Sequence, residues 1–335
     1  MLKLINDFLD NTSVSNSHLT VLDGWRGLSI LFVLAGHLLP LGPKYLYLNE
    51  AFARMGMALF FILSGFLITR FLIFKPNIIH FIIRRFFRII PLAWLYIVLS
   101  LLLTPMGSET YIAQLFFYAN YPPFYLTDTT AHLWSLSVEM QFYVGIALLV
   151  GMLGKRGLYF LPVLCVIITL LRLQNDVHIS IITYYRVDEI LAGCCLALMY
   201  EGWVGRNWPT IFKYVNQPMF FLFLILLFFS CHKVGGDLAY FRPYFAALLI
   251  GSTLFNLTAS ITLKLNNKVL FYIAAISYSL YVIHPLLEHS WLGSGDTVEK
   301  YSKRILLFLV LLITSHISTF YYEKYWISFA KKLTR

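Results

Sequence analysis

Long apolar runs separated by short polar breaks make up almost the whole chain. A helix that crosses a bilayer core needs about 20 mostly apolar residues, with roughly 17–25 tolerated. By that rule about ten stretches are candidate spans: Leu28–Leu41, Phe52–Phe74, Ile89–Leu103, Leu133–Leu153, Leu158–Leu171, Val187–Tyr200, Met219–Cys231, Pro243–Leu257, Leu270–Trp291 and Ile305–Tyr322. Several are shorter than a full crossing, which predicts tilt or partial re-entry. Ile112–Tyr125 is apolar too, but Pro122 and Pro123 interrupt it, and it reads as an interfacial or re-entrant stretch. No internal repeat or low-complexity tract is visible, and polar stretches such as Glu201–Gln217 are loops at most. The pattern predicts an all-α polytopic membrane bundle of about ten helices.

Composition sharpens this. Of 335 residues, 59% are hydrophobic and 13% charged, with a mean hydropathy of +0.73. Soluble domains average about 45–50% apolar and about 25% charged, so a water-facing surface cannot be covered here. The net charge of +10 raises the question of nucleic acid. That reading fails because the bases stand at the ends of apolar runs, as charges flanking membrane spans do. With the N-terminus inside and ten alternating spans, about 17 of the 26 Lys and Arg face the cytoplasm, which predicts cytoplasmic termini. An odd number of spans would break that tally. The first 25 residues include Asp7, Asp10 and Asp23 and lack the basic, apolar pattern of a cleavable signal, so the first span is expected to be retained. Cys165, Cys194, Cys195 and Cys231 lie in or beside apolar runs without metal-ligand spacing and read as small buried hydrophobes; no metal is expected.

Ionisable residues within spans are costly and mark either function or a buried partner. His37 follows Arg26 by eleven residues, which at 1.5 Å per residue puts it roughly 16 Å deeper and near mid-span. A neutral imidazole there could act as base, nucleophile or hydrogen-bond donor, or could simply be satisfied by a neighbouring helix. In His132-Leu-Trp134-Ser135-Leu-Ser137-Val-Glu139-Met-Gln-Phe-Tyr143, helical spacing puts Ser135, Glu139 and Tyr143 on one stripe. Glu139 could orient an imidazole or make a packing hydrogen bond. Arg84-Arg85-Phe-Phe-Arg88 follows Arg70 and Lys75. Arginine forks suit phosphate, and a cluster that only sets topology and touches lipid headgroups fits as well. Ser277–Pro285 ends in His284-Pro285, where the proline frees a carbonyl and is expected to kink the helix. Arg186 and Asp188 are expected to form an ion pair.

Together these stretches resemble the acyltransferase-3 family of integral membrane acyltransferases, which modify surface polysaccharides and related acceptors. Leu22-Asp23-Gly24-Trp25-Arg26-Gly27 with His37 is similar to its opening and its Arg-x10-His motif. Phe60–Ile68 is similar to its second span, and Arg85-x-x-Arg88 with Pro91 and Trp94 to its Arg-x-x-Arg segment. His132–Tyr143 and Ser277–Pro285 resemble two further signatures, all in family order from residue 20 to about 323. Met140 stands where many relatives have a second Glu, and Tyr325 where relatives often have Pro.

The resemblance implies acyl transfer, with acetyl as the family's usual group, from cytoplasmic acetyl-CoA to a hydroxyl of a surface or lipid-linked carbohydrate. On that reading Arg26, Arg85 and Arg88 hold the CoA phosphates, and His37 is general base or transient acyl carrier. Glu139 orients the imidazole, with Ser137, Tyr143, Trp134 and His284 as supporting contacts. Partners would be acyl-CoA, the sugar acceptor and membrane lipids, with no nucleic acid and no metal. The expected organisation is a cytoplasmic tail over 1–20, a membrane acyltransferase domain over 21–325 and a basic cytoplasmic tail over 326–335. The alternative from another class is a transporter or flippase that moves a lipid-linked or acyl substrate without forming bonds, although such proteins often carry internal repeats.

Overall fold

The computed structural model describes residues 19–103, 107–215, 217–257 and 259–334. The expected N-terminal tail therefore lies, up to His18, outside the described residues, as does Arg335. Every regular element among the described residues is helical. The principal helices are α1 (Thr20–Leu38), α2 (Leu48–Phe74), α3 (Ile78–Leu103), α4 (Trp134–Leu153), α5 (Leu161–Gln174), α6 (Asp188–Tyr200), α7 (Gln217–Cys231), α8 (Arg242–Leu254), α9 (Lys268–Ala275), α10 (Ser277–Glu288), α11 (Arg304–Ile317) and α12 (Lys324–Leu333).

Local chemistry sets the breaks. Leu39 is extended before Pro40, and α2 stops at Lys75 before Pro76, because the residue ahead of proline is driven out of the helical region. Asn77 Oδ1 then accepts the His80 amide at 3.0 Å and caps the start of α3. Gly154 takes a left-handed φ of 61° and ends α4, and the 3₁₀ segment Gly154–Phe160 leads into α5. Among the described residues, five helical stretches are long and apolar enough to cross a membrane, or up to seven if each broken pair is one crossing. The stretch over 131–174 joins two expected spans, the chain bends by 114° between α7 and the helical stretch Lys233–Leu254 that ends in α8, and α6 has only 13 residues. The ten apolar runs thus reappear as helices, but not as ten full-length crossings. Of the expected basic tail, residues 326–333 lie on α12.

The described chain divides into two compact units. Unit 1 comprises the described residues through 76, 148–180 and 184–275; unit 2 comprises those of 77–147, 181–183 and 276 onward. In unit 1, α2 is buried over most of its length and packs against α1, α6, α7 and α8, as expected of a helix apolar on all sides. Glycine lets backbones touch: a Cβ on Gly65 would overlap the Ile190 carbonyl oxygen, and one on Gly193 the Ile62 carbonyl oxygen. Gly193→Ala is therefore expected to cost about 1–3 kcal/mol by forcing α2 and α6 apart. Gly145→Ala, with open space around it on α4, is expected to be neutral or to stabilise by up to about 1 kcal/mol. Thermal melting in detergent distinguishes the two.

Unit 1 also buries an ionic cluster, and here the sequence expectation is corrected. Asp188 pairs with Arg172, not with Arg186; Arg186 Nη1 instead donates to Glu189 Oε1 at 2.7 Å, with Arg242 Nη1 3.6 Å from the same oxygen. Helical geometry explains the exchange, since residues two apart face away from each other whereas Arg186 and Glu189 stand three apart. In unit 2, α3 packs against α10 and α12, and α10 against α11.

Candidate functional site

In unit 1, Arg26 and His37 both lie on α1. Eleven residues at 3.6 per turn is close to three whole turns, so the Arg-x10-His spacing puts both side chains on one face, roughly 16 Å apart along the axis. The helix starts at Thr20, eight residues before the apolar run, because Asp23 and Arg26 are incorporated into it. Its midpoint is therefore Ser29, and His37 stands exposed in the last turn, not at mid-helix as the apolar run suggests. Arg26 is half-buried. The Asn49 amide donates to the carbonyls of Gly36 at 2.8 Å and Leu39 at 2.6 Å, satisfying the helix end beside the imidazole. Trp25 Nε1 donates to Thr253 Oγ1 at 2.8 Å, which fixes the rotation of α1 against α8.

In unit 2, α3 presents Arg85 and Arg88 one turn apart, both half-buried. The Arg85 guanidinium lies 5.7 Å from the centre of the Tyr143 ring and 5.9 Å from that of Phe81. Such contacts between a cation and an aromatic face are electrostatically favourable. Tyr143 Oη donates to Glu139 Oε1, one turn earlier on α4, and Glu139 is only 6% exposed. Of the predicted stripe, Glu139 and Tyr143 form a carboxylate–phenol pair beside Arg85, while the Ser135 hydroxyl instead meets Tyr281 Oη at 2.5 Å. Ser137 does not join the pair, because its hydroxyl donates back to the Leu133 carbonyl at 3.2 Å, in the turn just before α4. Trp134 is half-buried at the start of α4.

His284 is fully buried, and α10 continues through Pro285. The proline lacks the N–H that would bond the Tyr281 carbonyl, and His284 Nδ1–H donates to that freed oxygen at 2.7 Å. A carbonyl can only accept, so Nδ1 carries a proton. The His284 ring centre is 5.5 Å from that of His132, whose own ring meets Tyr96 at 5.4 Å and Tyr281 at 5.3 Å. Tyr281 Oη also donates to the His132 carbonyl at 2.5 Å.

Sequence reasoning quoted His132, Tyr278 and Glu323 but gave them no role, and it overlooked Tyr96, Glu189 and Arg242. Each is a polar group inside or beside an apolar run, which was the available signal. Of the expected site residues, Arg85, Arg88, Glu139, Tyr143 and His284 belong to unit 2, and Arg26 and His37 to unit 1.

An all-helical membrane protein with several crossings, carrying arginine, histidine and carboxylate groups on those helices, defines the class. The family profile described as an acyltransferase domain matches residues 19–324, and the chain belongs to that family, acyltransferase-3. A "Putative peptidoglycan O-acetyltransferase YrhL" of Bacillus subtilis is 29% identical over 249 residues, covering 62% of this chain and 37% of the relative. A "Putative O-acetyltransferase" of Staphylococcus aureus strain COL is 26% identical over 313 residues, covering 78% of this chain and 49% of the relative. The "Peptidoglycan O-acetyltransferase OatA" of Listeria monocytogenes is 29% identical over 160 residues, 40% of this chain and 24% of the relative. The chain spans half or less of the length of these curated relatives. No solved structure matches it at a significant level.

Proposed function

We propose that this protein transfers an acetyl group from cytoplasmic acetyl-CoA to a hydroxyl of a surface or lipid-linked carbohydrate, working in the cytoplasmic membrane with both termini inside. The observation that carries this reading is Arg85, one turn before Arg88 on α3, beside the buried Glu139–Tyr143 pair, in a chain of the acyltransferase family. Arginine forks match phosphate oxygens, which CoA carries and a neutral lipid tail does not. The names of the relatives favour a peptidoglycan unit as acceptor. Arg26 contributes a further cation to the donor. His37 takes the acceptor's hydroxyl proton while that oxygen attacks the thioester carbonyl; the C–S bond breaks and the CoA sulfur receives the proton. In the two-step version the His37 ring carries the acetyl group between donor and acceptor. Glu139 is the carboxylate of the same reaction.

Purified protein in detergent, given acetyl-CoA and a peptidoglycan-derived oligosaccharide, is expected to release CoA thiol in step with acetylated sugar. Detergent abolishes the two compartments that a transporter needs. An untouched thioester pool beside folded protein overturns the reading. Arg85→Ala and Arg88→Ala are each expected to raise the KM for acetyl-CoA about 10- to 100-fold, the worth of a charge-assisted hydrogen bond. Initial rates against donor concentration check this.

A further inference from the structure

We propose that unit 1 holds an anionic glycerophospholipid, with one acyl chain in a groove between α5, α6 and α8 and its phosphate at Lys155, Arg156 and Arg206. The groove encloses about 350 Å³, and its surface is almost wholly apolar. Cys165 and Val166 of α5, Ala192 and Cys195 of α6, and Ala247 and Leu248 of α8 line it. Ala192 and Leu196 form a buried back wall, whereas Pro162, Tyr244 and Ala247 are half-buried and Val166 is 51% exposed. The back is thus α6, and the sides contributed by α5 and α8 carry an exposed rim. Ala192 and Met199 both line the groove and stand about 10 Å apart along α6, at 1.5 Å per residue. Water is a poor occupant, because it needs about two to four polar partners in such a space. The polar atoms of the walls are already engaged: Tyr244 Oη stands 2.9 Å from Thr169 Oγ1, and the Cys165 thiol donates toward the Asp188 carbonyl at 3.7 Å. A hydrocarbon chain matches what is left.

The end of the groove beyond Met199 has the composition of a membrane surface. Val204 lines it, with Trp208 and Phe212 of the short helix Trp208–Lys213, and Trp208 Nε1 donates to the Val204 carbonyl. Trp203 meets Tyr159 with ring centres 5.3 Å apart. Tryptophan and tyrosine concentrate at the level of lipid headgroups. The Tyr159–Trp203 contact also brings the segment Gly154–Phe160, with exposed Lys155 and Arg156, beside the turn that carries exposed Arg206. Glu201, the acid of that turn, is taken up by Arg70, whose Nε donates to Glu201 Oε1 at 2.5 Å. The exposed cations at the aromatic end of an apolar groove complement a phosphate joined to a hydrocarbon chain. Free phosphate would meet the cations and leave the groove empty, and a neutral lipid would do the reverse. Among molecules that carry both parts, the glycerophospholipids of the bilayer itself are the most concentrated, so mass action favours them.

The test is lipid binding by the full chain in mild detergent, so its outcome is independent of the donor reading. Delipidated protein is titrated with phosphatidylglycerol or with phosphatidylcholine of the same acyl chains, and native mass spectrometry reads the bound fraction. Phosphatidylglycerol is expected to bind one per chain and about 10- to 100-fold more tightly, since each cation at a lipid surface contributes about fivefold. The combined change Lys155→Gln, Arg156→Gln and Arg206→Gln is expected to erase that preference and to leave melting unchanged. Ala247→Trp fills the groove and is expected to weaken phosphatidylglycerol binding about tenfold or more. Cys195, in the groove wall, reports the location: with phosphatidylglycerol at about ten times its Kd, N-ethylmaleimide should modify this thiol about tenfold more slowly. Peptide mass analysis assigns the modified cysteine. If Ala247→Trp does not purify, protection of Cys195 in the unmodified protein decides. Equal binding of the two lipids, an unchanged preference after loss of the cations, or unprotected Cys195 overturns the proposal. Displacement of phosphatidylglycerol by an equimolar polyprenyl phosphate gives the groove to another class of lipid and overturns it too.

Discussion

Replacing His37 by alanine is expected to lower acetyl transfer by about 10²- to 10⁴-fold, the contribution of one well-placed general base. Insertion and melting should match the unmodified protein. The expectation of unchanged folding follows from position: the imidazole is exposed in the last turn of α1, and the helix end is closed by Asn49. A truncation there leaves no cavity of the kind that destabilises a packed core. Because the loss lies in the chemical step, kcat should fall while the KM for acetyl-CoA, assigned to the arginines, stays near its original value. Labelled acetyl transfer to an oligosaccharide measures both. Wild-type turnover by a normally inserted His37→Ala protein would remove His37 from the mechanism. A large rise in KM with kcat preserved would move it to the binding apparatus.

The pattern of apolar runs was enough to place nearly every helix, since hydrophobicity over 15–20 residues is a strong one-dimensional signal. What it misjudged was where helices begin and how they join. The opening polar residues Asp23 and Arg26 belong to α1, which moves its midpoint to Ser29 and His37 to its end. Helix length comes from backbone hydrogen bonding and stop signals such as Leu39-Pro40, neither of which hydropathy weighs. The Glu139–Tyr143 pair was legible because both partners lie one turn apart on a single helix. The Pro285-freed carbonyl was legible as well, although nothing local said that His284 itself would take it up. The hydrogen bond from Ser279 Oγ to Glu323 Oε1, in the π-helical segment Ser318–Glu323, was not legible. Ser279 and Glu323 are 44 positions apart, and only the packing of α10 against the π-helical segment brings them together.

The second large effect concerns the buried ion pair of unit 1. Arg172→Met is expected to destabilise the protein by about 3–5 kcal/mol, because it strands the buried Asp188 carboxylate without its ion-pair partner. Both side chains are almost wholly buried, at 2% and 0% exposure. Asp188→Asn should cost less than Arg172→Met, for a reason visible in the donor inventory. The Arg172 guanidinium also donates to the carbonyls of Val177 at 3.2 Å, His178 at 2.9 Å and Ala239 at 3.1 Å. Those three bonds survive the loss of Asp188 but not the loss of Arg172, and each buried carbonyl left without a donor adds to the penalty. The double variant Arg172→Met with Asp188→Leu should regain the part due to the stranded charge and none of the part due to the carbonyls. Its melting temperature should therefore lie above that of Arg172→Met and below that of the original protein. Equal losses for Arg172→Met and Asp188→Asn would show that the carbonyl bonds contribute nothing, and that the arginine serves as a counter-charge alone.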